Sequence, residues 1–305
     1  MKRIARASRR QLLETLSGLG AVALFGCGSG TSDRTTGGVG SSGAGSGGAG
    51  AGAAEAGAAG ASADSAGATS GGTAGSSGTV AWATEGTSVL SGKDYGDPFA
   101  SGVGSTCNVY KSSTAGPCHA TSNQLVRKDV SDGYPGLPMR LELLVVDPSC
   151  TPVSGATVEI WMCDTKGVYS GDIDGNNDAF CTGGSATAAA ALWGRGIQSA
   201  GADGRITFDA NFPGWYASRA THIHFKVTVG TTEYVTSQMF VDDAFKAQIY
   251  DSQPSYEPTS GAGYVANTAD QVITESRLAV ANVVLSTKQQ SDGALLAWMA
   301  ITVNA

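Results

Sequence analysis

The strongest constraint on the fold is a long segment that cannot form a hydrophobic core. Of the 53 residues from 28 to 80, 47 are Gly, Ala, Ser or Thr. Side chains this small bury almost no apolar surface, so ordering the backbone would not be repaid. The segment is predicted to be a disordered linker. The fold must come from the 225 residues 81–305, which suffice for one domain.

The charges divide the chain in the same way. Residues 1–27 carry five basic side chains and one acidic side chain, and the linker has a net charge of −2. Residues 81–305 contain 13 basic and 22 acidic residues. A domain with this acidic excess and no basic stripe is not expected to bind nucleic acid.

Residues 1–27 have the pattern of an export signal. A basic start precedes an uncharged apolar run, Leu16–Phe25, which is too short to span a bilayer as a mature helix. The segment 8–13 (SRRQLL) resembles a twin-arginine export signal, and 24–27 (LFGC) resembles a bacterial lipobox.

The lipobox predicts that Cys27 carries a lipid anchor and that the linker holds the domain away from a membrane. The protein would then be an exported bacterial lipoprotein, periplasmic or on the cell surface, whose membrane contact runs through Cys27 alone. The alternative is a plain cleaved signal and a secreted protein, in which Cys27 has no role.

Five further cysteines would lie in an oxidising compartment, where disulfides persist. An odd number permits at most two disulfides within the chain and leaves one free thiol. We favour a Cys163–Cys181 pair, because it would clamp the irregular loop between them, but the other pairings stay open. The five are Cys107, Cys118, Cys150, Cys163 and Cys181.

Short segments rich in β-branched and aromatic residues, separated by turn residues, predict β-strands. Alternation of strands with helices is absent, so we expect an all-β, mainly antiparallel β-sandwich over 81–305. Residues 269–285 have apolar residues at approximately helical spacing and predict a helix. The predicted strands are 139–146, 156–161, 204–209, 222–229, 233–241 and 294–303.

The strand 222–229 (HIHFKVTV) carries two of the three histidines of the chain. Side chains alternate between the faces of a strand, so His222 and His224 project together while Ile223 and Phe225 point the other way. This arrangement offers a metal ion two nitrogen ligands from one rigid element. Two solvent-facing or hydrogen-bonded histidines without a metal are the alternative.

Further motifs accompany the histidines in a fixed order. They are VEIW (158–161), GVYS (167–170), GRITF (204–208), PGWY with the following R and HIHF (213–225), and SQMF (237–240). Over about 107–241 the chain resembles the intradiol ring-cleavage dioxygenases, the family of protocatechuate 3,4-dioxygenase and catechol 1,2-dioxygenase. The resemblance implies a transthyretin-like sandwich that binds non-haem Fe(III) and uses O₂ to cleave a small aromatic diol between its hydroxylated carbons, giving a muconate-type product.

The resemblance also assigns roles to individual residues. Tyr169 and Tyr216 correspond to two tyrosinate ligands of the iron, and His222 and His224 to its two histidine ligands. A hard ferric ion suits phenolate oxygen and imidazole, and its charge favours loss of the phenol proton. A chelating catechol would displace Tyr216, which would then take a proton from the substrate.

Two residues complete the expected catalytic set. Arg219 corresponds to an arginine that faces the substrate ring and stabilises charge developing on it, and Gln238 to a glutamine lining the same pocket. A guanidinium suits this role because it stays cationic at any working pH.

The substrate side departs from the family. Residues 114–119 (TAGPCH) retain the Gly-Pro of an EGPYY-like family segment but lack its Glu and both aromatic residues. Pro117 and Cys118 are candidates to line the pocket, and His119 is predicted to be structural or exposed rather than a ligand. The short connection from Tyr216 to His222 suggests that one pocket wall is cut back.

Three other interpretations were considered. The acidic segment 172–178 (DIDGNND) resembles the start of a calcium loop, but its Gly is misplaced and a closing Glu is absent, so we expect a solvated turn. The sandwich could be a catalytically inactive surface-binding module. The His/Tyr site could instead hold copper or zinc.

Overall fold

The computed structural model describes residues 80–120, 125–173, 177–216, 218–256 and 263–305. The chain divides into two units, Met1–Gly72 and Thr73–Ala305, and all of these residues lie in the second. The predicted signal segment, Cys27 and the linker as far as residue 79 lie outside the described residues. Within the described ranges, every helix is too short or too polar to cross a bilayer.

Two four-stranded sheets form the body of the described unit. One has the order β4-β1-β8-β7 and the other the order β3-β2-β5-β6. All paired strands are antiparallel except β1 and β8, which are parallel. The strands are β1 Pro138–Val146, β2 Thr157–Trp161, β3 Arg195–Ser199, β4 Arg205–Asn211, β5 His222–Val229, β6 Thr232–Phe240, β7 Ser286–Gln289 and β8 Leu295–Thr302. The expected mainly antiparallel β-sandwich is therefore confirmed.

The hydrophobic core contains alternate residues of the central strands. Leu141 and Leu143 of β1 and Ile223, Phe225 and Val227 of β5 are fully buried and belong to one apolar cluster. Each buried side chain of this size contributes about 1.5–3 kcal/mol relative to an exposed one. The packing of β5 therefore depends on its odd-numbered residues, and its even-numbered residues face the other way.

All six predicted strands are present, but two strands and the helices differ from expectation. The short strands β3 (RGIQS) and β7 (STKQ) are too polar to give a strand signal. The longest helix, α3, was missed, although Asp242 caps it by accepting hydrogen bonds from Ala244 N and Phe245 N, each 3.0 Å long. The helices are α1 Asp178–Cys181, α2 Ala186–Ala190, α3 Asp243–Ser252, α4 Gln271–Glu275 and α5 Val280–Val283, with 3₁₀ turns at Gly86–Leu90 and Asn267–Ala269.

The prediction of a single helix over 269–285 was wrong. The region contains the two short helices α4 and α5, and Arg277 lies between them with φ of 52°. This left-handed backbone conformation cannot continue a right-handed helix. Of the apolar residues that suggested helical periodicity, Val272 and Ile273 are buried from α4, Leu278 is buried from the connection after it, and Val280 of α5 is partly buried.

Two disulfides are present among the described residues, Cys107–Cys150 and Cys118–Cys181, and Cys163 is free and buried. The predicted maximum of two disulfides with one free thiol is confirmed. The favoured Cys163–Cys181 pair was wrong. Cys118 reaches Cys181 from a segment upstream of the loop, a contact that sequence proximity could not reveal, and their Cα atoms are 5.4 Å apart.

We predict that Cys163 resists thiol reagents in the native protein. Burial raises the pKa of its thiol, so the reactive thiolate is scarce as well as inaccessible. Alkylation should be at least about tenfold slower in native than in denatured, unreduced protein, as measured by mass spectrometry of the peptide containing Cys163. A Cys163→Ala variant is the control, and a peptide linking Cys163 to Cys181 would contradict the assignment.

Candidate metal centre

Strand β5 holds the two histidines at the site. It lies between β2 and β6, with His224 opposite Trp161 on one side and Gln238 on the other. Both imidazoles are buried, and their Nε2 atoms are 3.1 Å apart. The predicted projection of His222 and His224 to one side of the strand is confirmed.

The two tyrosines reach the same point from loops. Tyr169 follows β2, and Tyr216 follows the turn after β4. Their Oη atoms lie 3.4 Å and 3.3 Å, respectively, from His222 Nε2. His222 Nδ1 is 2.6 Å from Ala220 O, and a carbonyl only accepts, so Nδ1 carries the proton and Nε2 presents its lone pair. The structure therefore brings all four predicted ligand residues together.

Two glycines allow the loops to meet. Gly167 has φ of +80°, and a Cβ atom there would lie 2.1 Å from Trp215 O. A Cβ on Gly214 would lie 2.6 Å from Thr165 O. Only glycine permits this approach without displacing the neighbouring backbone. The contact fixes the separation between the segments that carry Tyr169 and Tyr216.

Trp161 and the Gly-Pro segment pack against His224, and only the Gly-Pro segment was predicted to border the site. Trp161 stacks on the His224 ring, with centroids 5.0 Å apart and planes inclined by 10°. On another side, a Cβ on Gly116 would lie 3.1 Å from His224 Cε1. The Gly-Pro segment thus borders the site, and Pro117 is exposed. Cys118 is buried and bonded to Cys181, so it anchors this segment to the fold.

Arg219 joins the predicted catalytic residues into one network. Its Nη1 donates to Tyr216 Oη at 3.0 Å, and its Nη2 donates to Gln238 Oε1 at 2.5 Å. Gln238 Nε2 donates in turn to Thr114 O at 3.2 Å. The guanidinium therefore lies beside a candidate ligand, and its orientation is held by the amide of Gln238.

Asp270 is the partner of Arg219 that sequence reasoning missed. Its side chain is fully buried and accepts from Arg219 Nε and from Ala220 N, each at 2.8 Å. It also caps α4 by accepting from Val272 N at 2.9 Å. An Asp preceding QVITE is a helix-cap signal, but that signal does not reveal a buried cation.

Burial sets the protonation of the four candidate ligands. Burial raises the pKa of Tyr169 and Tyr216 and lowers the pKa of both histidines. The imidazoles are therefore neutral, the state in which they ligate metals, whereas the phenols require a nearby positive charge to ionise. Two imidazole nitrogens and two potential phenolates fit a hard, highly charged ion.

No cluster of three or more His, Cys, Asp or Glu side chains suited to a metal is found among the described residues. The candidate centre therefore depends on its tyrosines. His119 is not one of the four candidate ligands. Its Nε2 atom is 2.6 Å from Glu159 Oε1 and its ring packs on Trp161, so its contacts are structural. The acidic segment 172–178 includes residues 174–176, which lie outside the described residues, so its interpretation as a solvated turn stays a prediction.

The sandwich with its buried His/Tyr cluster defines the class of protein. A family model described as Dioxygenase matches residues 111–275, more than half of the chain. The chain belongs to this dioxygenase family, and the resemblance to the intradiol ring-cleavage dioxygenases is confirmed.

One solved structure supports the fold, and two others are reported for their sequence similarity. An intradiol ring-cleavage dioxygenase from Tetranychus urticae is 24% identical, with a TM-score of 0.56 over 65% of this chain and 95% of that one. The dioxygenase domain of a carbohydrate-binding fusion from Streptomyces sp. SirexAA-E is 20% identical, with a TM-score of 0.45 over 65% and 99%. Catechol 1,2-dioxygenase from Pseudomonas arvilla C-1 is 15% identical, with a TM-score of 0.42 over 63% and 61%. A search of curated proteins gave no match.

We predict that Asp270→Asn destabilises the protein by about 3 kcal/mol, because it leaves a buried guanidinium without its anion while retaining a residue able to cap α4. Urea unfolding measures the effect. The matched control is Asp242→Asn at the exposed cap of α3, where the change should stay within about 0.5 kcal/mol.

The ion pair between Arg219 and Asp270 predicts that the free energy of unfolding depends on pH. Burial alone raises the pKa of Asp270, but its hydrogen bonds with Arg219 and Ala220 bring it below the ordinary value. The stabilisation should therefore be complete above pH of about 4 and be lost as the pH falls through the lowered pKa. A difference between wild type and Asp270→Asn that stayed constant down to pH of about 2 would contradict this assignment.

Proposed function

We propose that this protein is a non-haem Fe(III)-dependent dioxygenase that cleaves a catechol-type ring between its two hydroxylated carbons with O₂, giving a muconate-type product. Membership of the dioxygenase family supports the reaction class. The observation that carries the finer proposal is the convergence of Tyr169 Oη, Tyr216 Oη and His224 Nε2 on His222 Nε2, within 3.1–3.4 Å, in a buried region.

Four side chains would hold the ion in this proposal. The neutral imidazoles of His222 and His224 would supply nitrogen lone pairs, and Tyr169 and Tyr216 would supply phenolate oxygens. When bound, ferric iron would favour ionisation of the phenols, bind both oxygens of a catechol and make the catecholate reactive towards O₂.

Tyr216 is the better of the two tyrosines to accept a proton from the substrate. Tyr169 is buried, whereas Tyr216 is only partly buried and its Oη accepts a hydrogen bond from Arg219 Nη1. A released Tyr216 Oη could therefore take a proton from an incoming catechol hydroxyl while remaining in contact with Arg219.

Arg219 would stabilise negative charge on the bound ring. Its Nη1 already reaches Tyr216 Oη, next to the position a substrate oxygen would occupy. Asp270 and Gln238 fix its orientation, so little reorganisation is needed when charge develops. Trp161 and Gly116 pack against His224 and limit access of water from behind.

Two finer assignments also belong to this proposal. One is the transthyretin-like type of the sandwich. The other is export, with Cys27 as a lipid anchor and the small-residue linker as a spacer, which the sequence pattern of residues 1–80 supports. In this proposal the protein binds its substrate and O₂ outside the cytoplasm.

We predict that purified protein contains about one iron per chain, has a visible charge-transfer band and consumes O₂ with a catechol. Tyr216→Phe should shift the band and lower kcat at least about 100-fold, and His224→Ala should lose most of the iron. Metal analysis, absorption spectra and an oxygen electrode measure these effects. Tyr234→Phe, on β6, is the matched control and should change none of them.

These measurements distinguish an iron dioxygenase from a zinc or copper enzyme and from an inactive binding module. Colourless protein that binds zinc or copper in place of iron would favour a different metalloenzyme. Protein without metal that consumes no O₂ with catechol, protocatechuate or hydroxyquinol would favour an inactive binding module. Full iron content and activity in Tyr216→Phe or His224→Ala would refute the ligand assignment.

We also predict that Cys27→Ala moves the protein from the membrane fraction to the soluble exported fraction, because a lipid chain at this residue would be the proposed attachment. Cell fractionation with immunoblotting measures the shift, and a Ser29→Ala variant is the control. Unchanged membrane association would contradict the anchor.

A further inference from the structure

An exposed aromatic side chain stands at the edge of the candidate centre. Phe180 is 60% exposed, whereas most large apolar side chains of the described residues are buried. Its ring meets Tyr216 edge to face, with centroids 5.7 Å apart and planes at 88°. Single exposed apolar side chains are common, but this ring contacts a candidate ligand and is therefore placed to contact an apolar group of a molecule bound there.

Phe180 is held firmly in place. It belongs to α1, and the next residue, Cys181, has two attachments to the site. Cys181 O accepts a 2.7 Å hydrogen bond from Tyr169 N, and Cys181 Sγ is bonded to Cys118. The ring is therefore positioned relative to both the tyrosines and the Gly-Pro segment, which makes it a preorganised surface.

The other contacts of Tyr216 show which side is open. Tyr169, His222 and Arg219 surround its ring, and all three are buried. Phe180 is the exposed member of this group, so it lies on the solvent side. A ring bound beside Arg219 and extending towards solvent would pass along Phe180.

The Gly-Pro segment beside His224 provides no aromatic surface. Residues 114–117 are Thr, Ala, Gly and Pro, and Gly116 lies against His224. A substituent on a bound catechol would thus find an aromatic contact at Phe180 and none at this segment. Aromatic rings gain from edge-to-face or offset contacts beyond the area they bury.

We infer that Phe180 is a specificity-determining residue that contacts a ring substituent of the substrate, and that the preferred substrates are catechols bearing an aromatic or bulky apolar group. This inference rests on the proposed function. It assigns Phe180 no part in metal binding or proton transfer.

The test compares catechol with 3,4-dihydroxybiphenyl, which adds one phenyl group. Iron-loaded wild type, Phe180→Ala and Phe180→Trp are titrated anaerobically by calorimetry, and kcat/KM is measured by O₂ uptake. Phe180→Ala should lower the preference for the biphenyl over catechol about twofold to tenfold in both measurements. Phe180→Trp should retain the preference. Val126→Ala, an exposed apolar residue beside β3, is the matched control.

Each result decides the inference. An unchanged preference in Phe180→Ala, or an equal loss for both compounds, would overturn it. If wild type binds both compounds without consuming O₂, the proposed function fails, and the calorimetric preference still decides the role of Phe180. If wild type binds neither compound, both proposals are overturned.

Discussion

The site depends on strand β5, which has one face in the hydrophobic core and the other face at the candidate metal centre. Ile223, Phe225 and Val227 are buried in the sandwich core, and the strict alternation of a strand then forces His222 and His224 to the opposite side. A slip of one residue would place imidazoles in the core and phenyl and alkyl groups at the site. The free energy that holds the sheets together therefore also specifies the direction of the imidazoles.

The strand pattern was predictable because each central strand carries its own signal. The six apolar segments were found from composition and turns, and the pairing of the two histidines on one face followed from alternation. The elements that were missed, such as β3 and β7, are short and polar, and they are stabilised by neighbouring strands rather than by their own propensity. Arg277 ended a predicted helix through a backbone conformation that side-chain periodicity does not encode.

Only part of the candidate site could be predicted from the sequence. Tyr169, Tyr216, Arg219 and Gln238 came from a resemblance, because the loops that carry the first three and the strand β6 that carries Gln238 meet only in the folded chain. Asp270 and the Cys118–Cys181 disulfide were missed for the same reason. Their contacts join segments that are 51 and 63 residues apart, and nothing local distinguishes these residues from an ordinary helix cap or an ordinary disulfide cysteine.

The position of β8 has a consequence for when the chain can fold. This strand follows the other described strands in the sequence, yet it lies inside its sheet, with the much earlier β1 on one side and β7 on the other. A nascent chain in which β8 has not yet emerged would lack a central strand and would leave one edge of β1 open to wrong partners. Completion of this sheet, and of the core behind the imidazoles, must therefore wait until β8 has been synthesised, and deletion of β8 would remove the capacity to fold rather than trim an edge.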